Sequence, residues 1–407
     1  MKKILFYLLA LDLFFLQAYL FRFSILSYPS NLQELMLGAT FVVYVCVEGP
    51  KQLFSSLFRH KILFSVALLS VLSLLWVPLL STLDALRFVK FVFFAILLAF
   101  LFLQVYRTEK ERYEGVRLLA YGALAFAGFS LVYNLSGFNV MPDLRLAGPL
   151  DSAVYLAVYL VPAVLFFGFE VSQASKSQFF KKLLPFLVSG VLLVATRSFG
   201  AVGAALVVLL VFTLKNSSVS FLKSIWFKGL AFVLCLLFAV GTFYVKILPT
   251  LQTNYSSLDE RGEIWQTTLS LLEEPKSFFL GLGLGQFQAH YEQSVVGVLG
   301  GEPLDYYVLQ PHNVFLLFMV NYGFLGLILL VYLMSLTAWV LFKKTSNDRA
   351  QVFASYLLLY FFIHGLIDTP FFKNDLLFLL FLFLELGVGS FFLKRKSVTE
   401  GVGPEKS

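Results

Sequence analysis

The 407-residue sequence predicts an all-α polytopic membrane protein with about twelve transmembrane helices and one large extracytoplasmic loop that contains short helices. Three observations predict it. The chain is 59% hydrophobic and only 14% charged, with a mean hydropathy of +0.83, whereas soluble domains carry roughly 25% charged residues. Its apolar runs have the length, about 17–25 residues, that crosses a bilayer as a helix. One long polar interruption, residues 247–311, separates two such runs. A connection of that length is functional or disordered, and its Trp- and Tyr-containing clusters and capped amphipathic helix argue for function.

The predicted spans are 4–22, 33–49, 62–80, 86–106, 116–135, 151–169, 179–195, 199–214 and 226–246 before the loop. After it come 313–342, 350–367 and 374–393. The chain therefore divides into an N-terminal membrane region (1–246), an extracytoplasmic catalytic loop (247–311), a C-terminal membrane region (312–393) and a cytoplasmic tail (394–407). Basic clusters such as Lys51/Arg59/Lys61, Arg107/Lys110/Arg112 and Lys343/Lys344/Arg349 fall between alternate spans. Basic loops stay inside, which puts both termini in the cytoplasm and the 247–311 loop outside. The net charge of +7 is thus a topology signal, and no nucleic-acid partner is expected. Cys46 and Cys235 lie within apolar spans, which excludes a disulfide framework. Met1-Lys-Lys and the first apolar run have no clear small-residue cleavage site after them, so this run reads as a retained helix. His60 reads as a solvated residue of a basic loop.

The candidate residues lie at the outer boundary. Arg87 and Lys90 fall on one face of the fourth helix, where they either snorkel to the headgroups or form an anion site. A cation inside a membrane costs about 2.5–3.5 kcal/mol at a helix centre, so a partner is expected. The loop at 139–152 is rich in Pro and Gly, with Asp151 or Ser152 as helix cap; its Arg145 pairs with Asp143 or Asp151, or contacts substrate. Thr196-Arg197-Ser198 forms a tight outer connection in which hydroxyls and helix-start N–H groups join Arg197 as an anion site.

In the long loop, Ser257-x-x-Glu260 is a capping-box pattern that starts a helix running to Pro275. Ile264, Trp265, Leu269 and Leu272 form an apolar stripe at helical spacing, with Arg261 one turn before Trp265. These residues fit either an interfacial helix or an anion-binding Arg261. Gly281-x-Gly283-x-Gly285 has no strand-to-helix context, so it reads as backbone that passes close to other groups. His312 precedes Asn313 and a long apolar helix, at the outer boundary. An imidazole there is suited to accept a proton. His364 and Asp368, spaced i,i+4, suit a hydrogen bond that orients the last outer loop. No metal-ligand cluster or phosphate-loop motif is present in the sequence, so neither metal nor cofactor is expected.

Arg261-x3-Trp265, Pro275, the three spaced glycines, Pro311-His312-Asn313 and Asn321-Tyr-Gly323-x-x-Gly326 together resemble the O-antigen ligase and polymerase superfamily of bacterial membrane glycosyltransferases (GT-C class). Thr196-Arg197-Ser198 is similar to that family's Ser-Arg-Gly element, with Ser198 where glycine is usual. The Arg145-x-x-Gly148 loop and the His364 to Asp375 segment extend the likeness over most of 140–375. The resemblance implies transfer of a glycan from a polyprenyl-diphosphate carrier to a glycan, lipid or protein acceptor. The place is the outer face of the cytoplasmic membrane, among its lipids. It also implies roles: Arg197 and Arg261 neutralise the diphosphate, His312 is the general base, and Lys90, Arg87, Trp265, Asn313 and Arg145 contact substrate. A repeat-unit polymerase and a lipid-linked glycan flippase are the alternatives. A flippase has no use for a base at His312.

Overall fold

The computed structural model describes residues 2–25, 28–138, 141, 145–175, 177–216, 257–343, 348–373 and 375–389. The predicted ninth span (226–246), the start of the long loop and the tail at 394–407 lie outside these residues. The described chain is mostly helical. Its departure from the all-α expectation is one antiparallel hairpin, β1 (Arg22–Ile25) with β2 (Tyr28–Asn31), between the first two long helices.

The first half comprises α1 (Lys2–Phe14), α2 (Leu32–Glu48), α3 (Pro50–Leu57), α4 (Lys61–Leu75), α5 (Thr82–Val105), α6 (Glu109–Tyr133), α7 (Ala153–Ser172), α8 (Phe179–Ala195) and α9 (Phe199–Asn216). The segment between the two apolar halves adds α10 (Ser257–Leu271), α11 (Pro275–Leu280) and α12 (Phe287–Leu299). The chain then returns through α13 (Val314–Lys343), α14 (Arg349–His364) and α15 (Leu377–Leu384), which continues as a π turn at Glu385–Gly389.

Polar residues start these helices by satisfying orphan N–H groups. The Asn31 side chain accepts from Glu34 N, Ser81 from Asp84 N, and Ser152 from Val154 N. Thr108 and Glu111 form a reciprocal capping box on α6. Ser152, rather than Asp151, thus caps α7. α7 is apolar around its whole circumference and buried along nearly all its length, as expected of a helix with no polar face. It packs against α6, α8 and α9, while α15, likewise apolar, packs against α5 and α14.

Among the described residues four helical stretches are long and apolar enough to cross a membrane: Thr82–Val105, Glu109–Phe138, Ala153–Ser172 and Val314–Phe342. A fifth would be α2 and α3 taken together across a 109° bend. The expectation of about twelve is therefore met only in part. Polar caps and short turns cut α4 and α14 to 15 and 16 residues, below the ~20 needed for ~30 Å of hydrocarbon.

His60 is not solvated. It is 2% exposed, and its Nδ1 lies 2.8 Å from Glu385 Oε1 while Gln104 Nε2 lies 2.9 Å from its Nε2. The basic neighbours in sequence obscured this, because the carboxylate that captures it is 325 residues away.

The three spaced glycines serve packing. Gly281, Gly283 and Gly285 all have positive φ, a region that only glycine enters without strain. Leu282 N donates to Val320 O at 2.7 Å and Gly285 N to Asn321 Oδ1 at 3.0 Å. Gln286 exchanges two 2.9 Å hydrogen bonds with the Ser81 backbone. This loop thus joins the start of α5 to a break in α13 at Gly323, whose φ is +64°. A Cβ at Gly323 would collide with the Phe279 carbonyl. Gly323→Ala is expected to cost about 2 kcal/mol or more, read as a lowered thermal midpoint in detergent. An unchanged midpoint would show that the break is not required.

Candidate active site

The loop after α14, residues 364–368, is where the outer elements converge. The Gly365 carbonyl accepts from Val314 N at 2.6 Å, and the Leu366 carbonyl accepts from Asn313 Nδ2 at 3.0 Å. From the other side, the start of α9 presses on the loop: a Cβ at Gly200 would lie 3.0 Å from Ile367 and 3.2 Å from the His364 ring. The turns that carry Arg197 and His312 are therefore both held against one short loop.

Asp368 projects from that loop into a charged cluster. Its Oδ1 lies 2.8 Å from His312 Nδ1, and its Oδ2 lies 3.4 Å from Arg261 Nη2. Burial would raise the carboxyl's pKa. The hydrogen bond from His312 and the charges of His312, His364 and Arg261 outweigh burial and hold it at about 2. An ionised carboxylate only accepts, so His312 Nδ1 carries the proton and Nε2 keeps its lone pair. The imidazole is 29% exposed and Asp368 12%, so the ring is open and the carboxylate is sheltered.

A folded pKa below the ordinary 3.8 makes Asp368 a stabilising group above pH 3.8, and the contribution disappears as pH falls through about 2. It amounts to about 2 kcal/mol at most, taking 1.36 kcal/mol per pKa unit. Wild type should unfold at a higher temperature than Asp368→Asn at pH 5, and the gap should narrow between pH 4 and pH 2. A gap that persists undiminished at pH 2 would contradict the assignment.

α10 supplies two supports from one face. Arg261 Nη1 donates to the Ser257 carbonyl at 2.9 Å while Nη2 reaches Asp368, and its Nε–H is buried with no hydrogen-bond partner. Trp265, one turn on, donates from Nε1 to the Pro311 carbonyl at 2.9 Å, pinning the residue before His312. Of the stripe predicted on this helix, Ile264 and Leu272 are buried but Leu269 is 56% exposed. Pro275 stands at the first turn of α11, where its missing N–H costs nothing.

Backbone strain marks the same residues. Among the described residues, the non-glycine positions with positive φ are Arg197 and His312, both at 49°. Such conformations cost about 1 kcal/mol or more and cluster at functional sites. Arg197 is exposed between buried Thr196 and Ser198. Thr196 Oγ1 donates to Leu193 O at 2.6 Å and accepts from Ser198 N at 3.2 Å, which fixes the turn. Leu146 N donates to Ala195 O at 3.1 Å, so the segment that carries Arg145 lies against this turn.

Other expectations are corrected by the contacts. Lys90 and Arg87 do not stand open as a cationic pair: Lys90 Nζ donates to Pro29 O at 2.7 Å and pairs with Glu34 at 3.0 Å, and Arg87 pairs with Asp84 at 3.1 Å. Asn313 is a helix cap whose Oδ1 accepts from Phe315 N and Leu316 N. Asp151 lies near Arg22 and Lys373, at 3.7 and 3.8 Å. His364 does not bond Asp368 through its ring; its Nδ1 meets the Tyr360 hydroxyl at 2.9 Å. Asp368 escaped its predicted partner because His312 and Arg261, 56 and 107 residues distant, reach it first.

No curated protein matches the chain. Residues 184–331 match the family model described as O-Antigen ligase. The matched segment contains Arg197, Arg261, Trp265, His312 and Asn313, and Asp368 lies beyond it. That match, over about a third of a helical, membrane-type chain, makes residues 184–331 similar to the O-antigen ligase family.

Proposed function

We propose that the chain is an inverting, metal-independent glycosyltransferase that moves a glycan from a polyprenyl-diphosphate carrier onto an acceptor hydroxyl, in the manner of an O-antigen ligase. It acts at the outer face of the cytoplasmic membrane, with both termini inside. The observation that carries this reading is the His312–Asp368–Arg261 array. A base oriented by a sheltered carboxylate, next to a guanidinium, is what transfer from an already activated diphosphate requires.

His312 Nε2 takes the proton of the acceptor hydroxyl as its oxygen attacks the anomeric carbon. The bond from that carbon to the diphosphate oxygen breaks on the opposite face, and its electron pair leaves with the diphosphate. Attack from the opposite face inverts the anomeric centre. Asp368 holds the imidazole tautomer and stabilises the imidazolium that forms. Arg197, exposed at its strained turn, meets the diphosphate oxygens with forked contacts. Arg261 shares its charge between Asp368 and the developing diphosphate, using the Nε–H that has no hydrogen-bond partner. Trp265, Asn313 and the Arg145 segment hold these turns in place.

The test is reconstitution of the purified protein in liposomes with a polyprenyl-diphosphate-linked repeat unit, without metal. Products that form only when a lipid, protein or glycan acceptor is supplied support a ligase. A ladder of lengths from donor alone makes the chain a polymerase. Intact donor that crosses the bilayer overturns the transferase reading in favour of transport.

A further inference from the structure

The stretch just before His312 displays aromatic rings on a clamped backbone. Leu304 N donates to Glu263 Oε2 at 2.8 Å, Gln288 Nε2 to the Tyr306 carbonyl at 3.2 Å, and the Tyr291 hydroxyl to the Asp305 carbonyl at 3.2 Å. Asp305 Oδ1 accepts from Tyr307 N at 2.7 Å, and Val308 is buried as an anchor. Side chains from both α10 and α12 thus fix the loop. It nevertheless leaves Tyr306 43% and Tyr307 66% exposed. A loop free to move would fold such rings inward; one held rigid keeps them in water for a partner.

The position relates these rings to the reaction. Tyr307 is five residues before His312. Glu263 on α10 holds the loop at Leu304, and Trp265 on the same helix holds Pro311 beside His312, so one helix ties the loop to the His312 turn. The loop's charge selects among partners. Between Lys276 and Lys343 the sequence has no Lys or Arg, and Glu292, Glu302 and Asp305 are acidic. Such a loop repels phosphate and anionic headgroups, which attract basic segments. A sugar ring offers a C–H face to stack on tyrosine and hydroxyls to bond with tyrosine and carboxylate oxygens. Tyrosine suits such contact because it is large, rigid and polar at its tip.

We propose that Tyr306 and Tyr307 form a stacking platform for sugar rings of the transferred glycan, beside the His312 turn. This rests on the transferase reading above, and the test separates the two. The probe is the uncharged repeat-unit oligosaccharide released from the lipid-linked donor by mild acid. Its binding to the full-length protein in detergent is measured by titration calorimetry, which needs no turnover. Tyr306→Ala with Tyr307→Ala is expected to weaken binding at least ten-fold, and Phe at both positions to restore it to within about three-fold. Unchanged binding in the double alanine variant, or no binding by wild type at millimolar oligosaccharide, overturns the platform. Binding that is lost in the variant while wild type transfers nothing upholds the platform and removes the transferase reading.

Discussion

His312→Ala in proteoliposomes is expected to slow glycan transfer by about 1,000-fold, within the range a positioned general base contributes. The protein should still insert and fold, because the imidazole's hydrogen bond is to Asp368 alone among the described residues, at 2.8 Å. A folded alanine variant that turns over at the wild-type rate would remove the base assignment. His312→Gly sharpens the test by separating the ring from the backbone beneath it. It should lose transfer equally, yet exceed His312→Ala in stability by about 1 kcal/mol, since φ is 49° there and glycine tolerates that region freely. Equal thermal midpoints for the two variants would show that the turn stores no strain.

Asp368→Asn is expected to cost about 100- to 10,000-fold in transfer. The amide keeps the size of the carboxylate but loses its charge. It neither stabilises an imidazolium nor offers Arg261 a counter-ion. If His312 and Asp368 act as one unit, combining Asp368→Asn with His312→Ala should add little to either loss. Losses that multiply would show that the carboxylate acts independently of the imidazole.

The catalytic candidates were legible where local sequence decides placement. Arg197 and His312 are marked by the edges of apolar runs, and Arg261 and Trp265 by the capping box before them and their i,i+4 spacing. The helical, membrane-type character followed from composition alone. Pairings across the fold were not legible. Periodicity tells which face a residue occupies and says nothing about what a distant segment brings to it. Asp368 was assigned to its i−4 neighbour and instead serves His312. Lys90 seemed to need an anion, and Glu34, 56 residues before it, supplies one. The sequence after the first helix gives no hint of the hairpin of Arg22–Ile25 with Tyr28–Asn31, because its four-residue strands are too short for alternation to show. The span count erred for a related reason: an apolar run read from sequence includes the caps and turns at which the helix stops.

The buried contact between His60 and Glu385 constrains how the chain is made. His60 leads into α4, early in synthesis, while Glu385 arrives after nearly all the other described helices have left the ribosome. Until then the imidazole faces an unfinished groove and the early helices lack the partner that fixes their depth. The first half of the chain can enter the membrane as it emerges, but its final packing waits on the last helix. The closing step of assembly thus joins an early helix to the last described one, 325 residues apart.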